Sequence, residues 1–302
     1  MKIGIDIGGS HIAIATINRS GQIVEKIEEN IEAKEDISQY IVNYVDKGIE
    51  KLSKNAEKIE EIGIAAPGNP KGTIISNLVN LGIDIIDLKT VENKYHIKIK
   101  SINDAKAAAI AEKTYGAMKN YRDCVFLCLG TGIGGAVFLN QQLLKPNRNP
   151  GFEFGHMVIN EQGILCNCGK QGCFETYCSM KRLKERVKEK LKEIYHGEKI
   201  EDISDAIIVK RLLEQNRNHI EIQKIVDEYI YHLQVGLSNI VDIFEPEAIC
   251  LGGSFVYFKD ILYEKLVSQM DEKRYVFNKQ SIPKIVLADL KNDAGMIGAT
   301  LI

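Results

Sequence analysis

Apolar positions along this chain recur in two periods, and the switches between those periods mark its elements. Short runs rich in β-branched residues predict strands at 2–7, 11–17, 22–28, 60–66 and 97–102. A three-to-four-residue spacing predicts a helix near 35–54. The alanine-rich run after Asn103 predicts another from Ala105 to about Tyr115, with Asp104 in the N-cap position. The second half opens as the first does, with strands at 123–129 and 135–139. Further strands are predicted at 155–160, 247–252 and 284–288, with helices between 179 and 243, one from about Phe255, and a short one at the end. Hairpins followed by helices, repeated once, predict two α/β domains with a cleft between them, the kind of place ligands occupy. The boundary is expected near Asn120, with 1–117 plus 291–302 as a small domain and 118–290 as a large one.

Two glycine-rich turns break this pattern, Asp6-Ile-Gly8-Gly9-Ser10 and Gly130-Thr131-Gly132-Ile-Gly134-Gly135. Each follows an apolar strand and leads into another strand. A Rossmann fold or a Walker loop would instead place a helix directly after the glycines. Bare backbone at a hairpin tip forms an anion-binding concavity from successive N–H groups without any helix. Two such tips point to a duplicated clamp for a nucleotide. Asp6 stands just before the first tip, where a carboxylate would repel phosphate unless a divalent cation such as Mg²⁺ lay between them. It could equally hydrogen-bond its own turn. Asp104 caps a helix on one reading; on another it points its carboxylate into the cleft, where it could accept a proton from an attacking hydroxyl. Both can hold at once.

Of the seven cysteines, Cys166, Cys168 and Cys173 crowd into Cys-Asn-Cys-Gly-Lys-Gln-Gly-Cys, with His156 ten residues upstream. That spacing, with glycines letting the backbone wrap, predicts a closed tetrahedral Cys₃His site for structural Zn²⁺. Cys124, Cys128, Cys178 and Cys250 have no such spacing and read as core or incidental thiols.

Composition narrows the classes without choosing among them. Charged residues make up 26% and the net charge is −2, which gives no electrostatic case for nucleic acid or an anionic membrane. No run of 18 apolar residues occurs, and Met1-Lys2 passes straight into a strand, leaving no room for a signal peptide. A cytoplasmic enzyme is expected. The basic stretch Lys181–Lys192 carries Leu183, Val187 and Leu191 at helical spacing and reads as a solvated amphipathic helix.

Taken together, the motifs resemble those of the ROK family (repressor, open reading frame, kinase), which includes bacterial sugar kinases of the actin-like ATPase superfamily. The residues carrying the resemblance are Asp6–Ser10, Ala66-Pro67-Gly68, Val79-Asn80-Leu81-Gly82, Asn103-Asp104-Ala105 and Leu129–Gly135. They continue with Glu153-Phe-Gly155-His156, the Cys166–Glu175 segment, Leu251-Gly252-Gly253 and Ala294–Ala299. The resemblance covers nearly the whole chain. It implies a two-domain actin-like ATPase (ribonuclease H-like) fold with an interdomain cleft.

It also implies roles. Asp104 would be the catalytic base, taking the proton of a sugar 6-hydroxyl that attacks the γ-phosphate of ATP. Asp6 would position Mg²⁺ through water. Gly8, Gly9, Ser10, Thr131 and Gly132 would cradle the phosphates, and the adenine would lie against Gly252 and Gly253. Asn80, Asn103, Asp104, Glu153, His156 and Glu175 would bind sugar hydroxyls, with His156 also ligating zinc beside Cys166, Cys168 and Cys173. The partners implied are a hexose and ATP, with a homodimer or homotetramer as the assembly.

Three departures from the family pattern stand out. Ser10-His11 replaces the usual Thr-Lys, so no fixed cation adjoins the first turn; Phe152 precedes Glu153 where Gly is usual; Ile83 follows Asn-Leu-Gly where many glucokinases have Trp. Glucose is the expected sugar, with N-acetylmannosamine, N-acetylglucosamine and fructose as alternatives, because one pocket contact is worth only about 1–3 kcal/mol. The family's repressors carry a DNA-reading segment before the first turn, whereas Asp6 lies near the start here, so an enzyme is expected over a sugar sensor. A chaperone-like ATPase would not need the polyol-binding set.

Overall fold

The computed structural model describes residues 1–31, 36–54, 56, 58–145, 152–195, 206–269 and 282–302. The chain divides into two compact units. One comprises Met1–Asn120, Leu143–Phe152 and Asn292–Ile302, and the other Tyr121–Gln142 and Glu153–Lys291.

The first unit is built on β1 (Lys2–Ile7), β2 (His11–Ile17), β3 (Ile23–Asn30), β4 (Glu61–Ala66) and β8 (Ile99–Asn103), in the order β3-β2-β1-β4-β8. β1 to β3 form an antiparallel meander, and β4 and β8 extend it in parallel. Alternation along β1 sorts its residues: Ile3, Ile5 and Ile7 are fully buried in a cluster with Ile41, Val45, Ile49 and Leu52 of α1 (Ile37–Ser53). The start of this helix predicted at residue 35 lies outside the described residues.

Gly4 and Asp6 face the other way, toward α9 (Ala294–Ala299). Here glycine is required by close approach. A Cβ at Gly4 would stand 2.3 Å from the Met296 carbonyl oxygen, and one at Gly63 would stand 1.8 Å from that of Ala299. A Cβ at Gly298 would meet the Ala107 carbonyl oxygen of α3 (Asp104–Thr114) at 1.7 Å. The chain's last helix therefore lies flush on β1, β4 and α3.

A small antiparallel sheet of β5 (Asn69–Lys71), β6 (Ile74–Leu78) and β7 (Ile83–Asp87), followed by α2 (Lys89–Tyr95), was not predicted. Its strands are short, and Pro70 obscures β5, which tolerates a residue without an N–H because it is an edge strand.

The second unit repeats the plan. Its sheet runs β11-β10-β9-β12-β13, from β9 (Cys124–Leu129), β10 (Ile133–Leu139), β11 (Gln142–Leu143), β12 (Ala248–Gly252) and β13 (Lys284–Leu287). Again a hairpin is followed by two parallel strands. Its helices are α4 (Glu175–Cys178), α5 (Met180–Ile194), α6 (Ala206–Gln215), α7 (Ile220–Phe244) and α8 (Glu264–Ser268). In α5 the expected stripe of Leu183, Val187 and Leu191 is buried.

Two expectations fail in this unit. The strand predicted at 155–160 is a 3₁₀ turn, Phe154–His156, followed by irregular chain with a single bridge from Val158 to Cys173. Its backbone serves the cysteine loop instead: the Ile159 N–H donates to the Gly172 carbonyl at 2.9 Å. The helix expected from Phe255 is a 3₁₀ segment, Gly253–Phe258, then a π-helical turn, Lys259–Tyr263, before α8.

Candidate active site and metal centre

In the first unit, the β1–β2 hairpin presents Gly8, Gly9 and Ser10 at its tip, closed by the Gly8 N–H donating to the His11 carbonyl at 2.8 Å. Asp6 stands one pleat below, opposite Ala13 on β2 and Ala65 on β4. Its carboxylate packs against Gly295 of α9, where a Cβ would lie 2.6 Å from Oδ2. Burial pushes the Asp6 carboxyl up to about 7, with Asp104 and Asp293 adding to the rise and Lys26 opposing it. A carboxylate so disfavoured as an anion is suited to a nearby cation.

Asp104 corrects the sequence reading of its place. The N-cap of α3 is Asn103, at φ −59° and ψ 139°, whose side chain accepts from the Lys106 N–H. Asp104 is the first helical residue. Its Oδ1 accepts from the Ala105 N–H at 2.8 Å. Burial raises its pKa, while the N–H groups of Ala105 and Asp104 itself and the Asn103 side chain hold it back. Asn80 belongs to a 3₁₀ turn, Val79–Leu81, closed by Gly82 at φ 65°.

The His11 departure has a structural sequel. Burial lowers the His11 pKa, so the ring adds no charge to the first turn at neutral pH. A cation nearby comes from a residue the sequence reading missed. Lys26 on β3 bonds Glu28 at 2.7 Å and Asp293 at 3.1 Å, and its charge acts on Asp6. Period-two alternation with the β2–β3 register could have placed Lys26 on the Asp6 face. No local pattern joins it to Asp293, which is 267 residues away.

In the second unit, the β9–β10 hairpin carries Gly130, Thr131 and Gly132 at its tip. No helix directly follows these glycines in the chain, yet tertiary structure supplies one. The Lys181 N–H at the start of α5 donates to the Gly130 carbonyl at 3.2 Å. Gly253, after β12, adopts φ 68° with its backbone against Leu129, where a Cβ would lie 2.5 Å from the carbonyl oxygen. Only glycine fits there.

His156, Cys166, Cys168 and Cys173 converge, with one ligand atom from each lying within 4.8 Å of the others. Cys168 Sγ and Cys173 Sγ are 3.5 Å apart, and Cys166 Sγ is 3.7 Å from His156 Nδ1. Tetrahedral zinc with Zn–S of about 2.3 Å separates its sulfurs by about 3.8 Å, so the donor set fits. None of the seven cysteines is in a disulfide. Glu175, at the start of α4, lies beside this cluster, with Oε1 3.4 Å from His156 Nδ1. Glu153 immediately precedes the 3₁₀ turn that carries His156, and its carbonyl accepts from the His156 N–H at 3.0 Å.

Paired hairpin-and-parallel sheets with glycine at both hairpin tips define an α/β protein of the actin-like ATPase fold. A glucokinase of Streptomyces griseus, solved with glucose and AMPPNP, shares that fold with a TM-score of 0.79 at 24% identity, covering 99% of this chain and 97% of its own. The ROK family model matches residues 2–302, and the chain belongs to the ROK family. Among curated relatives, a glucokinase of Halalkalibacterium halodurans is 28% identical over 98% of this chain and 92% of its own length. A xylose repressor of Caldicellulosiruptor bescii is 27% identical over 98% of this chain and 76% of its own.

Proposed function

We propose that this chain is an ATP-dependent hexose kinase that transfers the γ-phosphate of ATP to the 6-hydroxyl of a sugar, glucose first among the candidates. The observation carrying this reading is Asp104: Asn103 takes over the capping of α3, and burial raises the Asp104 pKa, which makes its carboxylate a stronger proton acceptor. Asp104 accepts the proton of the attacking hydroxyl. Asp6 is the carboxylate that would hold Mg²⁺ through water, and the cation would offset the charge of the phosphate oxygens.

The turns at Gly8, Gly9 and Ser10 and at Thr131 and Gly132 cradle phosphate, with Gly9, Ser10, Thr131 and Gly132 offering their N–H groups while that of Gly8 closes the hairpin. The adenine lies against the backbone of Gly252 and Gly253. Asn80, Asn103, Glu153, His156 and Glu175 bind sugar hydroxyls. His156, Cys166, Cys168 and Cys173 would hold Zn²⁺, whose part is to fix the fold of the loop rather than to act on the substrate.

The test is coupled ADP release over a panel of hexoses and N-acetylhexosamines, with the wild type and Asp104→Asn. The variant is expected to keep its fold and much of its sugar affinity while losing about 10²–10⁴ in turnover. Wild-type turnover in the variant would remove Asp104 from the role of base.

The similarity to a xylose repressor favours a second reading, a sugar-sensing protein without transfer chemistry. That reading expects sugar binding by calorimetry with no sugar-dependent ADP release from the wild type.

A further inference from the structure

Contact with a sugar hydroxyl does not account for the surroundings of Glu175. Its two carboxylate oxygens face two different parts of the second unit. Oε1 accepts from the Cys166 thiol at 3.3 Å and lies 3.4 Å from His156 Nδ1. Oε2 is packed against the second glycine turn, where a Cβ at Gly132 would stand 2.7 Å from it. A Cβ at Gly155, next to His156, would stand 3.1 Å from the same oxygen and 2.6 Å from the carbonyl oxygen of Ile133. Metal ligands, carboxylate and turn thus follow one another with no room for an added methyl group.

The backbone makes a second connection along the same segment. The Thr176 N–H and hydroxyl both donate to the carbonyl of Cys173, at 3.0 and 2.6 Å, which ties the start of α4 to a metal ligand. Five residues on from Thr176, the Lys181 N–H reaches the Gly130 carbonyl at 3.2 Å. The segment 173–181 therefore starts at the Cys/His cluster and touches the turn at both Gly130 and Gly132.

We infer that the Cys/His metal centre sets the geometry of the second glycine turn through Glu175, so that metal loading and nucleotide binding reinforce each other. This rests on the reading of that turn as a phosphate cradle. Glu175 is a positioning residue in this coupling, in addition to any contact with sugar. A metal takes up the Cys166 thiolate and the His156 nitrogen, so the link runs through Cys173, whose carbonyl holds Thr176 and with it the start of α4. The Glu175 carboxylate so placed buttresses Gly132. Coupling between two sites is reciprocal, so a disturbance at the turn must be felt at the metal.

Two measurements test it, both without sugar. Calorimetric binding of AMPPNP with Mg²⁺ is compared between zinc-loaded and chelator-stripped protein, and the stripped form is expected to bind at least about 5-fold more weakly. Zinc affinity of nucleotide-free protein is measured by chelator competition for Gly132→Ala, with a loss of about 10-fold or more expected. Gly130→Ala is the control, because a Cβ there meets nothing within 4 Å, and its zinc affinity should equal that of the wild type.

If the stripped protein does not stay folded, zinc-loaded Glu175→Ala takes its place. It should retain about one zinc per chain yet bind AMPPNP at least about 5-fold more weakly than loaded wild type. Equal AMPPNP affinity in both metal states, or unchanged zinc affinity in Gly132→Ala, overturns the coupling and leaves the kinase reading standing. Loaded wild type that binds no AMPPNP at all overturns both.

Discussion

Burial disfavours the ionisation of Asp6, and the charge of Asp104 disfavours it further. The consequence for stability has a definite sign. An unfolded Asp6 titrates near 3.8, and the folded one is pushed up to about 7. Between those pH values the folded protein holds a proton that the unfolded chain has released, so stability falls as pH rises through that window and stays reduced above it. Asp6→Asn removes this penalty. Without divalent cations, its melting temperature at pH 8 is expected to exceed that of the wild type by at least about 3 °C, with the gap closing toward pH 4. Equal melting temperatures at pH 8 would show that the buried charge costs nothing. Magnesium nucleotide should act in the opposite sense, stabilising wild type more as pH rises, because a cation favours the ionised form.

Packing of α9 governs the first unit at the level of elements. Three glycines, Gly4, Gly63 and Gly298, let backbone rest on backbone, so the helix reaches Asp6 through Gly295. Gly298→Val places a branched side chain where a Cβ already lies 1.7 Å from the Ala107 carbonyl oxygen. A loss of at least about 3 kcal/mol is expected, read from urea denaturation; a loss below about 1 kcal/mol would mean that α9 can lift off its bed without cost. Elements of this kind differ in how legible they are. Ile3, Ile5 and Ile7 alternate over a full strand and announce β1. β5 to β7 are short, interrupted by Gly72 and Gly82 at positive φ, and leave no period long enough to detect. The misplaced cap at α3 has a related cause. Asn103 and Asp104 are both good caps, and only the φ and ψ of Asn103 decide which of them leaves its side chain for other work.

Over the molecule as a whole, the two five-stranded sheets repeat one order, a hairpin and two parallel strands, each with a glycine tip. The Cys/His cluster has no counterpart in that repeat among the described residues. Metal analysis of purified protein is expected to find about one zinc per chain in wild type and a loss of most of it in Cys173→Ser, since structural sites use all four ligands. The same variant should melt at a lower temperature, and chelation should bring wild type down to match it. Cys173→Ser with full zinc content would mean that the cluster is not the metal centre.

Local chemistry determined what the sequence could determine alone. Strand and helix periods, glycine at hairpin tips and the spacing of cysteines around one histidine act over short stretches of chain, and neighbours in sequence suffice to express them. Tertiary structure decided the company each group keeps. Lys26 meets Asp293 across 267 residues, Gly295 closes on Asp6 from the far end of the chain, and α5 comes to Gly130 from outside the turn. Such contacts depend on the register of strands and on how closely backbones approach, and neither leaves a periodic trace in the order of residues.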